Sequence, residues 1–529
     1  MSLQPFLGKI GAQRLLNLAF HFRPNSELIV FGGQRLTRRQ VFASIQALGG
    51  ALQTLGVQPG DRVATLLPAC PEAVYSMFLP QTIGTVNVPL NPLLGERELC
   101  HILGNCGAKV VITAQQWYGQ DFPNLLRRLQ PDLPALEYVL TRGQGEGDGR
   151  MFFPLEPLLA RARPARRARI RGDETTMITY TSGTTGLPKG VMHTPQRNFS
   201  LATPAVNARL DLGLMRCLLL PFPLYHFAGM IGVTAALLAG GKVALMERFD
   251  PEEMLLRIAQ EKVSQVIGSP TMYRLLLRWP GQERCDLSSV RRLTFSTEPC
   301  PPELARALHE RLGCGLENVY GTTESRMISW TGAEDSWEMA ATTVGRPAPG
   351  VQVRVVDDQR LPLPPGGRGE IIVKTPQMMT GYYQAPELNA AAFDAEGWFS
   401  TGDIGWLGED GFLRLVDRKK DLVIRGGQNI FPAEVEAYLA EHPAVRRVAV
   451  IGVAHPLAGE ALWAYVERQP GAALTEIELL NFCRGQIAPF KIPDQVRFVE
   501  HLPLSAVGKV QKYQLRQAAL EERNRPNAP

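Results

Sequence analysis

The run YTSGTTGLPKG, Tyr180 to Gly190, places three glycines, four aliphatic hydroxyls and one lysine within eleven residues. Backbone amides freed by Gly183 and Gly186, hydroxyl donors on Thr181, Ser182, Thr184 and Thr185, and the ammonium of Lys189 together suit a polyphosphate. The spacing is not that of the familiar phosphate loop, because Pro188 stands where that motif requires glycine. On spacing alone a surface turn is an equal alternative. Further along stand VYGTTE (319–324), STGD (400–403), DRKKDLVIRGGQNIFPAEVE (417–436) and LPLSAVGK (502–509). Taken singly, each has a plainer reading: a buried tyrosine with a helix-capping Thr/Glu pair, a turn aspartate, a surface arginine, a solvated loop lysine.

The elements that must position these residues show in the hydrophobic pattern. Val41, Ile45, Leu48, Leu52 and Leu55 recur at helical spacing after a Thr37/Gln40 capping box, and Gly56 closes the helix. RVATLL follows as a strand, and similar units recur around AKVVIT and SQVIGSP, which argues for α/β layers with parallel strands. The pattern lapses between Gly143 and Asp173, where six arginines in RARPARRARIRGD read as a solvated connector. After Val344 short alternating strands predict a small β-rich subdomain over about 344–417. Beyond it Pro432 opens a helix, RRVAVIGV is a strand and Thr475 with Glu478 boxes another helix. The expected organisation is α/β: a large N-terminal domain of layered α/β subdomains over 1–417, including that β-rich part, then a small mobile α+β domain over 418–529.

Composition narrows the partners. Over 529 residues the net charge is +5, too small an excess to argue for nucleic acid. Eight scattered cysteines have no metal or redox spacing and read as reduced thiols, so a cytoplasmic location is expected, with no signal peptide and no peroxisomal or prenylation address. The uncharged run from Cys217 to Gly241 is broken by Pro221, Pro223, Tyr225 and His226, and reads as a buried strand, a loop and a buried helix rather than a transmembrane span.

With its five motifs in one order along nearly the whole chain, the sequence resembles the acyl-adenylate-forming superfamily, which includes acyl-CoA synthetases, firefly luciferase and peptide-synthetase adenylation domains. The resemblance implies that the loop of Thr181, Ser182, Gly183, Thr184, Thr185, Gly186 and Lys189 wraps the β- and γ-phosphates of ATP. It implies Tyr320 against adenine, Thr323 on the α-phosphate, Glu324 on Mg2+, Asp403 on the ribose hydroxyls and Arg418 reaching the nucleotide. Lys509 is implied as the catalytic lysine bridging the attacking carboxylate and the α-phosphate, where a placed cation relieves repulsion between two anions. Lys420 is implied at a hinge about which the small domain swings after adenylation, bringing up Gly427, whose missing side chain leaves room for the pantetheine arm of CoA.

The resemblance also bears on the substrates. Tyr225, His226 and Phe227 match the aromatic segment beside the acyl pocket. Amino-acid-activating members carry aspartate at the position of Phe227, so an amino acid, whose buried ammonium would have no partner, is not expected. In FSTEPCPP, Glu298 resembles the acetyl-type ligases and is counted with the ATP site, while Thr297 replaces a small glycine and narrows the pocket against long straight chains. Met230, Ile328 and Trp330 fit core packing better than pocket lining. The expectation is an ATP-dependent acyl-CoA ligase of fatty or aryl acids using Mg2+ and CoA, with a homodimer admitted. The rivals are an acyl-AMP ligase loading a carrier protein and a non-catalytic nucleotide-binding homologue.

Overall fold

The computed structural model describes residues 11–143, 147–181, 188–198, 216–221, 223–296, 300–332, 334–357, 359–418, 423–430, 432–503, 510 and 512–524; side chains 416–418, 429, 433, 513, 523 and 524 are outside the description. The chain divides into two compact units. One gathers Met1–Pro92, Leu103–Tyr180 and Gly190–Asp417; the other gathers Leu93–Ile102, Thr181–Lys189 and Arg418–Pro529.

Alternating helix and strand along the first half builds two large sheets. The eight-stranded sheet has a parallel core in which Arg62–Leu66 lies between Val86–Pro89 and Val110–Ala114, with Tyr138–Arg142 beyond. The nine-stranded sheet runs parallel through Glu27–Phe31, Lys242–Leu245, Cys217–Leu220, Gln265–Gly268, Arg292–Phe295 and Gly315–Thr322. Parallel strands are covered on both faces, and the runs are accordingly apolar: Cys217–Leu220 is buried throughout. Helix Arg38–Thr54 forms with both halves of its capping box present, and Val41, Ile45, Leu48 and Leu52 on its core face are each at most 1% exposed. The uncharged run after Cys217 is a strand and the thirteen-residue helix Phe227–Ala239, and no described helix is long and apolar enough to cross a membrane.

The stretch 143–173 is more ordered than its composition predicts. Phe152–Pro154 pairs in parallel with Tyr138–Arg142, and Leu155–Arg161 is a helix. The arginine-rich segment that follows keeps its six arginine side chains exposed while its backbone is strapped to helix Arg38–Thr54. Ala165 N donates to the Gln46 carbonyl (3.0 Å) and Arg166 N to Gln53 Oε1 (2.8 Å). The strap explains Gly49 and Gly50 inside that helix: a Cβ on Gly50 would stand 1.8 Å from the Arg163 carbonyl oxygen. The helix-weakening cost of glycine, about 1 kcal/mol each, is accepted for this close approach.

The short alternating strands after Val344 form a four-stranded antiparallel sheet of Gln352–Val356, Gly369–Lys374, Phe399–Leu407 and Leu413–Arg418. In the second unit the long hairpin Val445–His455/Gly459–Arg468 packs on helices Pro432–Leu439 and Glu476–Cys483, the latter started by the Thr475/Glu478 capping box.

Candidate active site

The geometry begins at one hairpin. Strand Gly315–Thr322 turns through Thr323, Glu324 and Ser325 into the antiparallel strand Arg326–Trp330, with a register shift at Tyr320/Gly321. VYGTTE is therefore a strand end and a turn, and the helix-capping alternative for Thr323 and Glu324 does not apply. Two features close this turn. A Cβ on Gly321 would lie 1.9 Å from the Arg326 carbonyl oxygen, so only glycine fits there. Inside the turn the Thr322 and Ser325 hydroxyls share a hydrogen bond of 2.8 Å.

The hairpin collects side chains from other elements. Tyr320 Oη donates to Asp403 Oδ2 at 2.5 Å, linking the nine-stranded sheet to strand Phe399–Leu407. Asp403 is no solvated turn residue: it is 2% exposed. The preceding Gly402 takes a φ of +73°, and Asp403 N donates to Thr401 Oγ1 at 3.1 Å. Glu324 Oε1 accepts from Tyr382 Oη (2.9 Å), and its backbone carbonyl from Met379 N (2.7 Å). Burial, then the Glu324 carboxylate, pushes the Tyr382 phenol up, so it remains a donor. The Thr323 carbonyl accepts from His193 Nε2 at 2.9 Å. Burial first, then the cations of Arg326 and Arg197, holds His193 well below its usual range, so the imidazole is neutral with its proton on Nε2.

Tyr225, His226 and Phe227 lie at the start of helix Phe227–Ala239, with the Tyr225 and His226 rings 4.5 Å apart. Gly229 lets the preceding loop close, since its Cβ would meet the Pro223 carbonyl oxygen at 2.6 Å. The Phe227 ring carries the guanidinium of Arg326 at 4.2 Å from its centroid. The hairpin thus brings together Tyr320, Thr323, Glu324, Asp403 and Phe227, which are scattered over 177 positions (Phe227 to Asp403) of the chain.

Other sequence-derived residues are placed separately. Thr181 ends strand Met177–Thr181 and Lys189 opens strand Lys189–His193. Arg418 ends strand Leu413–Arg418, its side chain outside the description. Gly427 lies with Gly426 in the two-residue link between Val423–Arg425 and Gln428–Ile430, at φ +75° and +55°. Two positive φ values are what a tight hairpin turn demands, which gives Gly427 a backbone reason independent of any ligand. Ser182, Gly183, Thr184, Thr185, Gly186, Thr297, Glu298, Lys420 and Lys509 lie outside the described residues. Ile328 is fully buried and Trp330 packs against the same core cluster.

Sequence reasoning passed over Arg326, His193, Arg197, Asn198 and Tyr382. Arg326 had a signal: a long cation just before the mostly apolar strand residues Met327–Trp330. The others carry no local mark, because their role arises from packing against the hairpin.

Residues 19–383 match the family model described as AMP-binding enzyme, and residues 434–509 match that of the AMP-binding enzyme C-terminal domain. The chain belongs to the AMP-binding enzyme family. Among its relatives, the medium-chain fatty-acid–CoA ligase of Escherichia coli (strain K12) is 34% identical, with 87% of this chain and 82% of that one covered. A feruloyl-CoA synthase of Amycolatopsis sp is 35% identical over 93% of this chain and 96% of its own length. Among solved structures, the amide bond synthetase McbA from Marinactinospora thermotolerans superposes with a TM-score of 0.84 at 30% identity, covering 96% of this chain and 99% of that one. This AMP-binding enzyme therefore stands among the acyl-CoA synthetases, as the motif order implied.

Proposed function

We propose that this AMP-binding enzyme is an acyl-CoA ligase working in two steps. A carboxylate oxygen attacks the α-phosphorus of ATP, forming acyl-AMP as the bond to pyrophosphate breaks. The sulfur of CoA then attacks the acyl carbon, forming the thioester and releasing AMP, while the thiol proton passes to solvent. The observation that carries the reading is the Tyr320–Asp403 bond, made three residues before Thr323 on one hairpin. An aromatic face and a carboxylate fit a nucleoside, and the hydroxyl and carboxylate of Thr323 and Glu324 fit its phosphate end. Asp403 would accept from the ribose hydroxyls, its carboxylate held by Tyr320 and its backbone N–H by the Thr401 hydroxyl.

Mg2+ fits this donor set. Among the described residues no cluster of three or more ligating side chains exists, and one carboxylate plus phosphate oxygens is how Mg2+ accompanies a nucleotide. Glu324 would hold it, steadied by Tyr382, and the ion would offset phosphate charge. Lys509 is assigned to the first half-reaction as the cation between the two reacting anions, and Gly427 to the second, beside CoA.

The test is acid-dependent exchange of labelled pyrophosphate into ATP, then AMP release with and without CoA. Exchange with CoA consumption supports the ligase. Exchange with AMP release only on adding a carrier protein moves the acceptor, and ATP binding without exchange makes the chain a sensor. The likeness to an amide bond synthetase adds an amine as a further acceptor for the same panel. Lys509→Ala should lower acyl-AMP formation by at least ~100-fold while leaving thioester formation from supplied acyl-AMP largely intact; equal loss of both halves removes the division of labour.

A further inference from the structure

Arg326 is 1% exposed and sits in a left-handed backbone conformation at φ +63°. Its Nη2 donates to Asn198 Oδ1 (3.0 Å) and approaches Met177 Sδ (3.4 Å), and its plane lies over Phe227. Among the described residues neither Nε nor Nη1 has an acceptor. Burial takes the guanidinium out of water, and no carboxylate oxygen among the described residues is hydrogen-bonded to it. His193, neutral, and Arg197, itself a cation bonded to the Met378 and Met379 carbonyls, bring no negative charge.

Desolvating a guanidinium while leaving two of its nitrogens without acceptors is costly, and such a group stands ready for a planar anion that takes two parallel hydrogen bonds. The guanidinium is less suited to the reacting carboxylate, since a bidentate clamp draws electron density from the oxygen that must attack phosphorus, and Lys509 is already assigned to that group. It is suited to a spectator group farther along the acyl chain.

We propose that Arg326 is a specificity-determining residue that binds a second carboxylate on the substrate, so that the enzyme activates one end of a dicarboxylic acid. The inference rests on the ligase reading and on the placement of Phe227 beside the acyl group. Asn198 holds one edge of the guanidinium and Phe227 supports its face, and the donors on Nε and Nη1 would be answered by the ligand. A plain fatty acid of equal length would leave the cation buried and unanswered.

Pyrophosphate release is measured for dicarboxylic acids of three to eight carbons and for phthalic and terephthalic acids, each against its own monomethyl ester. A kcat/KM at least tenfold higher for one diacid than for its ester is expected, and that ratio should fall at least tenfold in Arg326→Met. Esters and plain monocarboxylic acids equal to or better than every diacid in the unaltered enzyme would overturn the proposal without any variant being needed. A diacid preference that survives in both Arg326→Met and Arg326→Gln would overturn it as well. Failure of the ligase reading looks different: no acid of either charge supports exchange.

Discussion

Lys491 and Arg326 are both cations withdrawn from water, one in each unit, and their surroundings are opposite. Lys491 is 4% exposed and bonded to Glu98 and, at 2.5 Å, to Glu434. Burial alone would lower the Lys491 ammonium, but the two carboxylates outweigh it and raise it. Glu98 also joins segments far apart in sequence, accepting from Gly95 N (2.9 Å) and Ala488 N (3.1 Å). Arg326 by contrast has, among the described residues, a single side-chain oxygen, an aromatic face and a thioether. A cation that serves the fold brings its counter-ions in the sequence. A cation proposed to serve a ligand keeps donors that no described residue fills.

The comparison is broken most severely at Lys491. Lys491→Met leaves two carboxylates buried together, and a loss of about 3–5 kcal/mol is expected in urea unfolding. A loss under ~1 kcal/mol would mean that water reaches the cluster and that it is no structural pair.

Tyr320→Phe probes a third buried charge. It removes a donor from the Asp403 carboxylate, which is 2% exposed, and should weaken ATP binding by about 1.5–3 kcal/mol, read as a rise in the KM for ATP. An unchanged KM for ATP with normal folding would detach Asp403 from the nucleotide.

Arg326→Met should change stability by no more than ~1 kcal/mol, in either direction, because the lost contacts with Asn198 and Phe227 are offset by relief of a poorly solvated charge. A loss as large as that of Lys491→Met would make Arg326 a structural cation.

The smallest effect is one of pH. Burial, with the push of Glu98 and against the pull of Lys491, raises the Glu434 carboxyl from its ordinary 4.5 to about 7. Between those values the folded state binds the proton more tightly than the unfolded chain, so stability falls as pH rises through that window. Glu434→Gln should flatten this part of the stability profile relative to the unaltered protein. Identical slopes would place the titration elsewhere.

Much of the fold was legible because its signals are local. The capping boxes at Thr37 and Thr475 and the apolar strand runs depend on residues three or four apart, and each formed where the pattern placed it. The stretch 143–173 is legible only in part: its arginines are solvated as their run suggests, but its order comes from bonds to Gln46 and Gln53, more than a hundred positions away. VYGTTE and STGD were legible as motifs. That Asp403 is buried against Tyr320, and that Glu324 is held by Tyr382, was not.

What the sequence determined by itself is the order of motifs, and with it the family and the kind of chemistry, because those residues recur at fixed spacing within short segments. What only the tertiary structure decided is which buried charges meet a counter-charge among the described residues. Burial and hydrogen-bond partners are supplied by elements distant in the chain, so the same basic side chain reads alike in sequence whether it ends between Glu98 and Glu434 or over the ring of Phe227.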